Sequence, residues 1–136
     1  ADAMERRLMV APQDMYAILW RYIALARENG MDIAARKLGE HAAKLNETRW
    51  PAPVVHFFLG KIYEKEMYAA AENPDPKKRS EQICEANYYA AQAKLLNNAT
   101  SEAISLLRAA EKECPPNFNE AHGASAELKR LAAKAP

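Results

Sequence analysis

The sequence predicts an all-helical protein built from repeated pairs of helices. Alanine, the residue with the highest helix propensity, occurs 28 times among the 136 residues, whereas the β-branched residues Val, Ile and Thr together occur 11 times. Apolar residues recur at spacings of three and four through most of the chain, which is the period of an amphipathic helix. Alanine also recurs every 34 residues, at Ala35, Ala69 and Ala103, an interval typical of stacked helix-turn-helix units.

The first two predicted helices lie on either side of a turn at Asn29-Gly30. The first runs from Tyr16 to Glu28 and ends there because Asn and Gly readily adopt the left-handed conformation that follows a last helical turn. Asp32 is predicted to cap the second helix. The apolar face of this second helix carries Ile33, Leu38, Ala42 and Leu45.

The middle of the chain has the least regular pattern. Pro51 and Pro53 can begin a helix but cannot lie in its interior, so they separate the second helix from a third. The third helix is predicted from Val54 to Ile62, and it continues or restarts over residues 64–72. The segment Asn73-Pro74-Asp75-Pro76 is the clearest loop in the sequence.

A long helix is predicted to follow that loop. Asp75 is expected to cap it and Pro76 to lie in its first turn, and the apolar pattern continues to about Leu96. Thr100 is expected to cap the next helix. That helix ends at Pro115-Pro116.

A final helix is predicted to run to about Ala132. Asn117 and Glu120, three residues apart, have the spacing of a capping box, with Asn in place of the usual Ser or Thr. The sequence therefore predicts helices from residue 16 almost to its end.

Composition argues against several classes of function. The formal net charge of +1 does not favour nucleic-acid binding, which normally shows a clear basic excess. The four glycines do not form a phosphate-binding loop, and no apolar run is long enough to span a membrane. His41, His56 and His122 lack the paired spacing of metal ligands. The sequence thus predicts no metal, no cofactor and no enzymatic activity.

One segment resembles a tetratricopeptide repeat (TPR). It begins at Cys84 and reads CEANYYAAQAKLLNNATSEAISLLRAAEKECP. Its small, large apolar and closing positions are occupied by Ala91, Ala103, Leu107, Ala110 and Pro115. Residues 16–49 look like a weaker copy, with Ala35 and Ala42 at the two alanine positions. Three residues stand where the family has Trp, Tyr and Gly: Asn87, Lys94 and Asn98.

The resemblance implies a right-handed α-solenoid of about three TPR-like units and a C-terminal capping helix. In this interpretation residues 1–136 form a single domain. Its parts are the tail of a preceding helix (1–13), repeat 1 (14–49), a degenerate repeat 2 (50–83), repeat 3 (84–117) and the capping helix (118–136). The irregular connection in repeat 2 leaves its register open.

The same resemblance implies a non-catalytic adaptor that binds a partner protein or peptide in a groove lined by the first helices. The residues expected there are Trp20, Arg27, Glu85, Tyr88, Gln92 and Leu95. Trp20 and Tyr88 could instead only pack between adjacent repeats. An alternative function is a structural module that self-associates through exposed terminal helices, giving a homo-oligomer.

Two cysteines and several short segments bear on the location of the protein. Cys84 and Cys114 are expected at neighbouring ends of one helix pair, where they could form a disulfide or remain buried thiols. The segments WPAPVV, FFLG, CEANYY and ELKRL resemble bacterial TPR proteins of the cell envelope. This resemblance favours a periplasmic or envelope location over the cytoplasm.

Overall fold

The computed structural model describes residues 12–44 and 48–134, and these residues form seven helices and no strand. The helices are α1 (Pro12–Asn29), α2 (Met31–Ala43), α3 (Ala52–Phe58), α4 (Glu64–Ala70), α5 (Pro76–Leu96), α6 (Thr100–Glu113) and α7 (Asn119–Lys134). The all-α prediction is therefore confirmed. Right-handed stacking as a solenoid stays a prediction, and most of the predicted helix tail at residues 1–13 lies outside the described residues.

The chain divides into two compact units, Ala1–Met67 and Tyr68–Pro136. In the first unit, α1 and α2 pack against each other and are joined by a single residue, Gly30. Gly30 has a φ of 97°, a conformation that L side chains rarely adopt, and it occupies the N-cap of α2. The predicted cap at Asp32 is wrong, because Asp32 already lies in the first helical turn.

The core of the first unit is formed mainly by α1, with α3 packed against both α1 and α2. The stacked rings of Tyr22 and Phe58, with centroids 4.7 Å apart, join α1 to the end of α3. The buried residues that α1 and α2 contribute are Met15, Leu19, Tyr22, Ile23, Ala26, Ala34 and Leu38.

Hydrogen bonds end α3 and begin α4 separately. The amides of Gly60 and Lys61 donate to the carbonyls of Phe57 and His56, and Gly60 has a φ of 77°, so α3 ends in a Schellman motif. The Tyr63 amide then donates to the Glu66 side chain at 2.8 Å, which satisfies the start of α4. The third predicted helix therefore restarts rather than continues.

In the second unit, α5 begins as the sequence predicts. The Asp75 carboxylate accepts a hydrogen bond from the Lys77 amide at 3.2 Å, and Pro76 is the first helical residue. At its other end, Asn98 adopts a φ of 62° while the amide of Ala99 donates to the carbonyl of Lys94. Asn98 thus takes the left-handed position where the TPR family has Gly.

The last two helices begin one or two residues away from their predicted positions. The N-cap of α6 is Ala99, and Thr100 is its first helical residue, so the cap predicted at Thr100 is wrong. The Phe118 carbonyl accepts hydrogen bonds from the amides of Ala121 and His122, which places the start of α7 after Asn117. Asn117 therefore lies in the preceding loop.

The core of the second unit lies where α6 packs against both α5 and α7. Small residues allow these helices to approach closely, and larger side chains fill the remaining space. Tyr89 reaches α7, where its hydroxyl donates to the Glu120 carboxylate at 2.8 Å. The fully buried apolar residues of α5 and α6 are Cys84, Ala86, Tyr89, Ala90, Ala91, Ala103, Leu107 and Ala110.

Burial in the two units matches at an offset of 69 residues rather than 68. Helices α2 and α6 begin at residues 31 and 100, and the buried pair Ala34 and Leu38 corresponds to Ala103 and Leu107. The alanine predicted from the 34-residue interval, Ala35, is only half-buried, and Ala69 is exposed. The extra residue lies in the connection between the two helix pairs, where α3 and α4 are each seven residues long.

Candidate partner-binding surface

The six residues expected to line a groove differ in their exposure. On α1, Arg27 is exposed and Trp20 is half-buried. On α5, Leu95 is half-buried. The other three α5 residues are covered, with exposed fractions of 6% for Glu85, 2% for Tyr88 and 0% for Gln92.

This burial follows from the position of α5 in its unit. Almost every residue from 84 to 92 is buried, on all sides of the helix. The tilted rings of Tyr88 and Tyr89, with centroids 5.3 Å apart, lie within this covered stretch. Contact with a partner through Glu85, Tyr88 or Gln92 would require α5 to become uncovered, and a binding role for the six residues stays a prediction.

An open cleft of about 430 Å³ lies between α1 and α2 in the first unit. Its exposed lining is mostly apolar, and charged side chains stand around it. The lining residues are Arg21, Ala24, Leu25, Glu28, Lys37 and His41. None of them belongs to the set predicted from the repeat register.

The charges around this cleft are unequal. Arg21, Lys37 and His41 are basic or titrate to a cation, and Glu28 is the one acidic residue of the lining. Lys37 has a loose ion pair with Glu40 at 3.9 Å, and both side chains are about 60% exposed. Arg21 and His41 make no hydrogen bond or ion pair with another described residue. The cleft therefore offers cationic groups to an incoming ligand.

Below the cleft, the packing between α1 and α2 closes. The space there shrinks to about 10 Å³ between residues that include Tyr22, Ala34 and Leu38. Tyr22 is only 5% exposed, and its burial raises the pKa of the phenol above the usual value. The hydroxyl consequently stays neutral, so it adds no negative charge to the base of the cleft.

The spacing of the lining residues is the signal that could have indicated this cleft. Arg21, Leu25 and Glu28 lie four and three residues apart, and Lys37 and His41 lie four apart, so each set shares one helix face. The repeat register assigns importance to the opposite, groove-facing positions, and sequence reasoning therefore passed over these residues.

Other potential sites among the described residues are sparse. In residues 12–44 and 48–134, no group of three or more His, Cys, Asp or Glu side chains is arranged to hold a metal ion. His41 lines the cleft, whereas His56 is half-buried on α3 and His122 is exposed on α7. No helix of the described segments is sufficiently long and apolar to cross a membrane.

A disulfide joins α5 to the end of α6. The Cys84 and Cys114 sulfur atoms are 2.15 Å apart and the Cα atoms 5.2 Å apart. Cys84 lies two turns inside α5, and Cys114 is the C-cap of α6. Both residues are buried, with exposed fractions of 0% and 4%. A disulfide of this kind persists in oxidising compartments and is rare in the cytosol.

Comparison with known proteins gives one informative relative. No protein-family model matches the chain. The chain is 29% identical over 121 residues to a lipoprotein NlpI homolog of Haemophilus influenzae, a match that covers 88% of this chain and 38% of the relative. The chain thus spans well under half the length of the protein it matches. The all-helical structure and this distant similarity fit a TPR-like helical-repeat protein.

Proposed function

We propose that the protein is a non-catalytic interaction module that binds a partner protein or peptide on the surface of its helical repeats. The observation that carries this proposal is the open cleft of the α1–α2 pair, where basic side chains without described partners surround an apolar lining. A surface of this composition suits recognition of another protein, because apolar contact provides affinity and charge provides specificity.

The distant relative supports the proposal and suggests a location. That protein is described as a lipoprotein, which places it at a membrane surface of the cell envelope. A buried disulfide in this chain fits an oxidising compartment such as the periplasm. We therefore place the interaction in the cell envelope, between this module and another envelope protein.

Affinity capture tests the proposal. The full chain, immobilised through one terminus, is incubated with an envelope extract of the source cells, and bound proteins are compared by quantitative mass spectrometry with those on an unrelated helical protein. Specific enrichment of one or a few proteins, reproduced with the purified candidate, is the expected result. Failure of every enriched candidate to bind in purified form overturns the proposal.

Light scattering separates the adaptor from a self-associating module. The adaptor is expected to keep a constant molar mass over a wide range of concentration in the absence of its partner. A mass that rises with concentration, together with capture of no protein other than the chain itself, would replace the adaptor by self-association.

A further inference from the structure

We propose that the α1–α2 cleft binds a segment of the partner in which carboxylates lie next to an apolar side chain. The proposal rests on the adaptor function above and names the chemistry of its partner. It concerns a surface different from the predicted groove, since none of the six groove residues lines the cleft.

The basic residues face each other across the cleft. Because α1 and α2 are joined by Gly30 alone, the chain reverses direction there, and residues at similar distances from Gly30 lie opposite each other. Arg21 on α1 consequently lies near Lys37 and His41 on α2, and all three line the same space. Glu28 lies close to the turn, about 10 Å along the helix axis from Arg21.

This arrangement divides the cleft into two parts. The part far from Gly30 presents the guanidinium of Arg21, the ammonium of Lys37 and the imidazole of His41. Arg binds a carboxylate through two parallel hydrogen bonds, and Lys adds a point charge. The only acidic residue of the lining lies at the other end, so a carboxylate near Arg21 meets attraction with little repulsion.

The apolar lining selects a peptide segment over a free anion. Leu25 and Ala24 lie on the same helix as Arg21, and Leu25 is one turn away from it. A small anion would leave this apolar surface in water, whereas a Leu or Phe side chain beside an Asp or Glu would cover it. The cleft volume of about 430 Å³ accommodates a few side chains of such a segment.

Glu40 competes with the ligand for Lys37. Its carboxylate lies 3.9 Å from the Lys37 ammonium and outside the cleft lining. Removing this charge by Glu40→Gln releases Lys37, so the variant is expected to bind an acidic segment about twofold more tightly. A merely structural role of Lys37 does not predict a gain.

Three synthetic peptides serve as probes: a Leu flanked on each side by two Glu, the same peptide with Gln for Glu, and the same peptide with Lys for Glu. The uniformly ¹⁵N-labelled full chain is titrated with each peptide and followed by NMR. The Glu peptide is expected to shift the amide signals of Arg21, Leu25 and Lys37 with a Kd below about 1 mM, and the Gln and Lys peptides to bind about tenfold more weakly or not at all.

Charge reversal supplies the matched comparison. Arg21→Glu and Lys37→Glu are each expected to weaken binding of the Glu peptide about tenfold or more. Arg36→Glu makes the same charge change at the residue beside Lys37, but Arg36 does not line the cleft, so this variant is expected to bind like the original chain apart from a small long-range effect. Circular dichroism checks that all three variants remain helical.

Three results would overturn this assignment. They are no binding of the Glu peptide below about 1 mM, shifts confined to residues outside the cleft, and an equal effect of Arg36→Glu and Lys37→Glu. Affinity capture with the Arg21→Glu chain separates this failure from that of the adaptor function. If the variant still captures the partner of the original chain, the adaptor stands and the cleft assignment falls; if the original chain captures no partner, the adaptor itself falls.

Discussion

Tyr89 and Glu120 show how a single polar contact is accommodated in the core of the second unit. Tyr89 has no exposed surface and Glu120 only 5%, and the phenol donates to the carboxylate at 2.8 Å. A buried carboxylate is unfavourable without such a donor, because its hydration is lost. The contact therefore specifies how α7 packs beside α5.

Removal of this donor by Tyr89→Phe is expected to lower the free energy of unfolding by about 1–3 kcal/mol, since Glu120 is left buried with one hydrogen bond fewer. Urea denaturation followed by circular dichroism measures the change. Tyr63→Phe removes the same atom from a side chain that is 76% exposed and should change the value by less than about 0.5 kcal/mol. Equal effects of the two substitutions would show that the buried bond does not contribute.

At the scale of single elements, glycine conformation decides where α3 ends. Gly60 has a φ of 77° and nothing lies within 4 Å of a Cβ placed there, so any effect of a side chain comes from the backbone alone. Gly39 lies inside α2 with an ordinary helical conformation, and its added Cβ would be 3.8 Å from Leu59, a normal van der Waals contact.

Alanine at these two positions is expected to have opposite effects. Gly60→Ala forces an L side chain into the left-handed region and should lower the free energy of unfolding by about 1–2 kcal/mol. Gly39→Ala improves helix propensity and should raise it by up to about 1 kcal/mol. Chemical denaturation of both variants measures the difference, and destabilisation by Gly39→Ala to the same degree as Gly60→Ala would contradict the assignment of the α3 terminus.

The disulfide acts on a pair of elements, because it closes a loop of 30 residues that contains the turn between α5 and α6. The unmodified chain is expected to incorporate no alkylating reagent before reduction and two equivalents after it, as measured by mass spectrometry. Replacing both cysteines by Ala should lower the free energy of unfolding by about 3 kcal/mol, chiefly by releasing the unfolded chain. Two alkylated thiols in the native, unreduced protein would exclude the bridge.

Helix existence was predictable at this scale, but several helix ends were not. Asp75-Pro76 has both the capping side chain and the fixed φ of a first helical residue, so the start of α5 follows directly from the sequence. Asp32 and Thr100 are good capping residues by type but lie one or two positions inside their helices. The backbone at Gly30 and Asn98 decides those starts, and that geometry depends on how the paired helices pack.

For the molecule as a whole, the sequence indicates the architecture better than the exposed surface. Periodicity locates the helices, because each needs only its own apolar face to be recognised. Exposure depends on all elements around a residue: Tyr88 and Gln92 lie on a helix that is buried on every side, which no local pattern reports. The α1–α2 cleft requires two helices to be brought together, so its residues gained significance only in the fold.

The register of the repeats is the remaining property of the whole chain, and a substitution can test it. An interval of 34 residues selects Ala35 as the position where the helices of the first unit meet, whereas burial at an offset of 69 selects Ala34, which has no exposed surface. Ala34→Leu should therefore introduce three carbon atoms into a filled core and lower the free energy of unfolding by about 1–3 kcal/mol. Ala35→Leu, at a half-buried position, has room to turn toward solvent and should cost less than about 1 kcal/mol. Urea denaturation ranks the two variants. A greater loss for Ala35→Leu would restore the strict 34-residue frame, and the reverse order would place the extra residue between the helix pairs, where α3 and α4 interrupt the repeat.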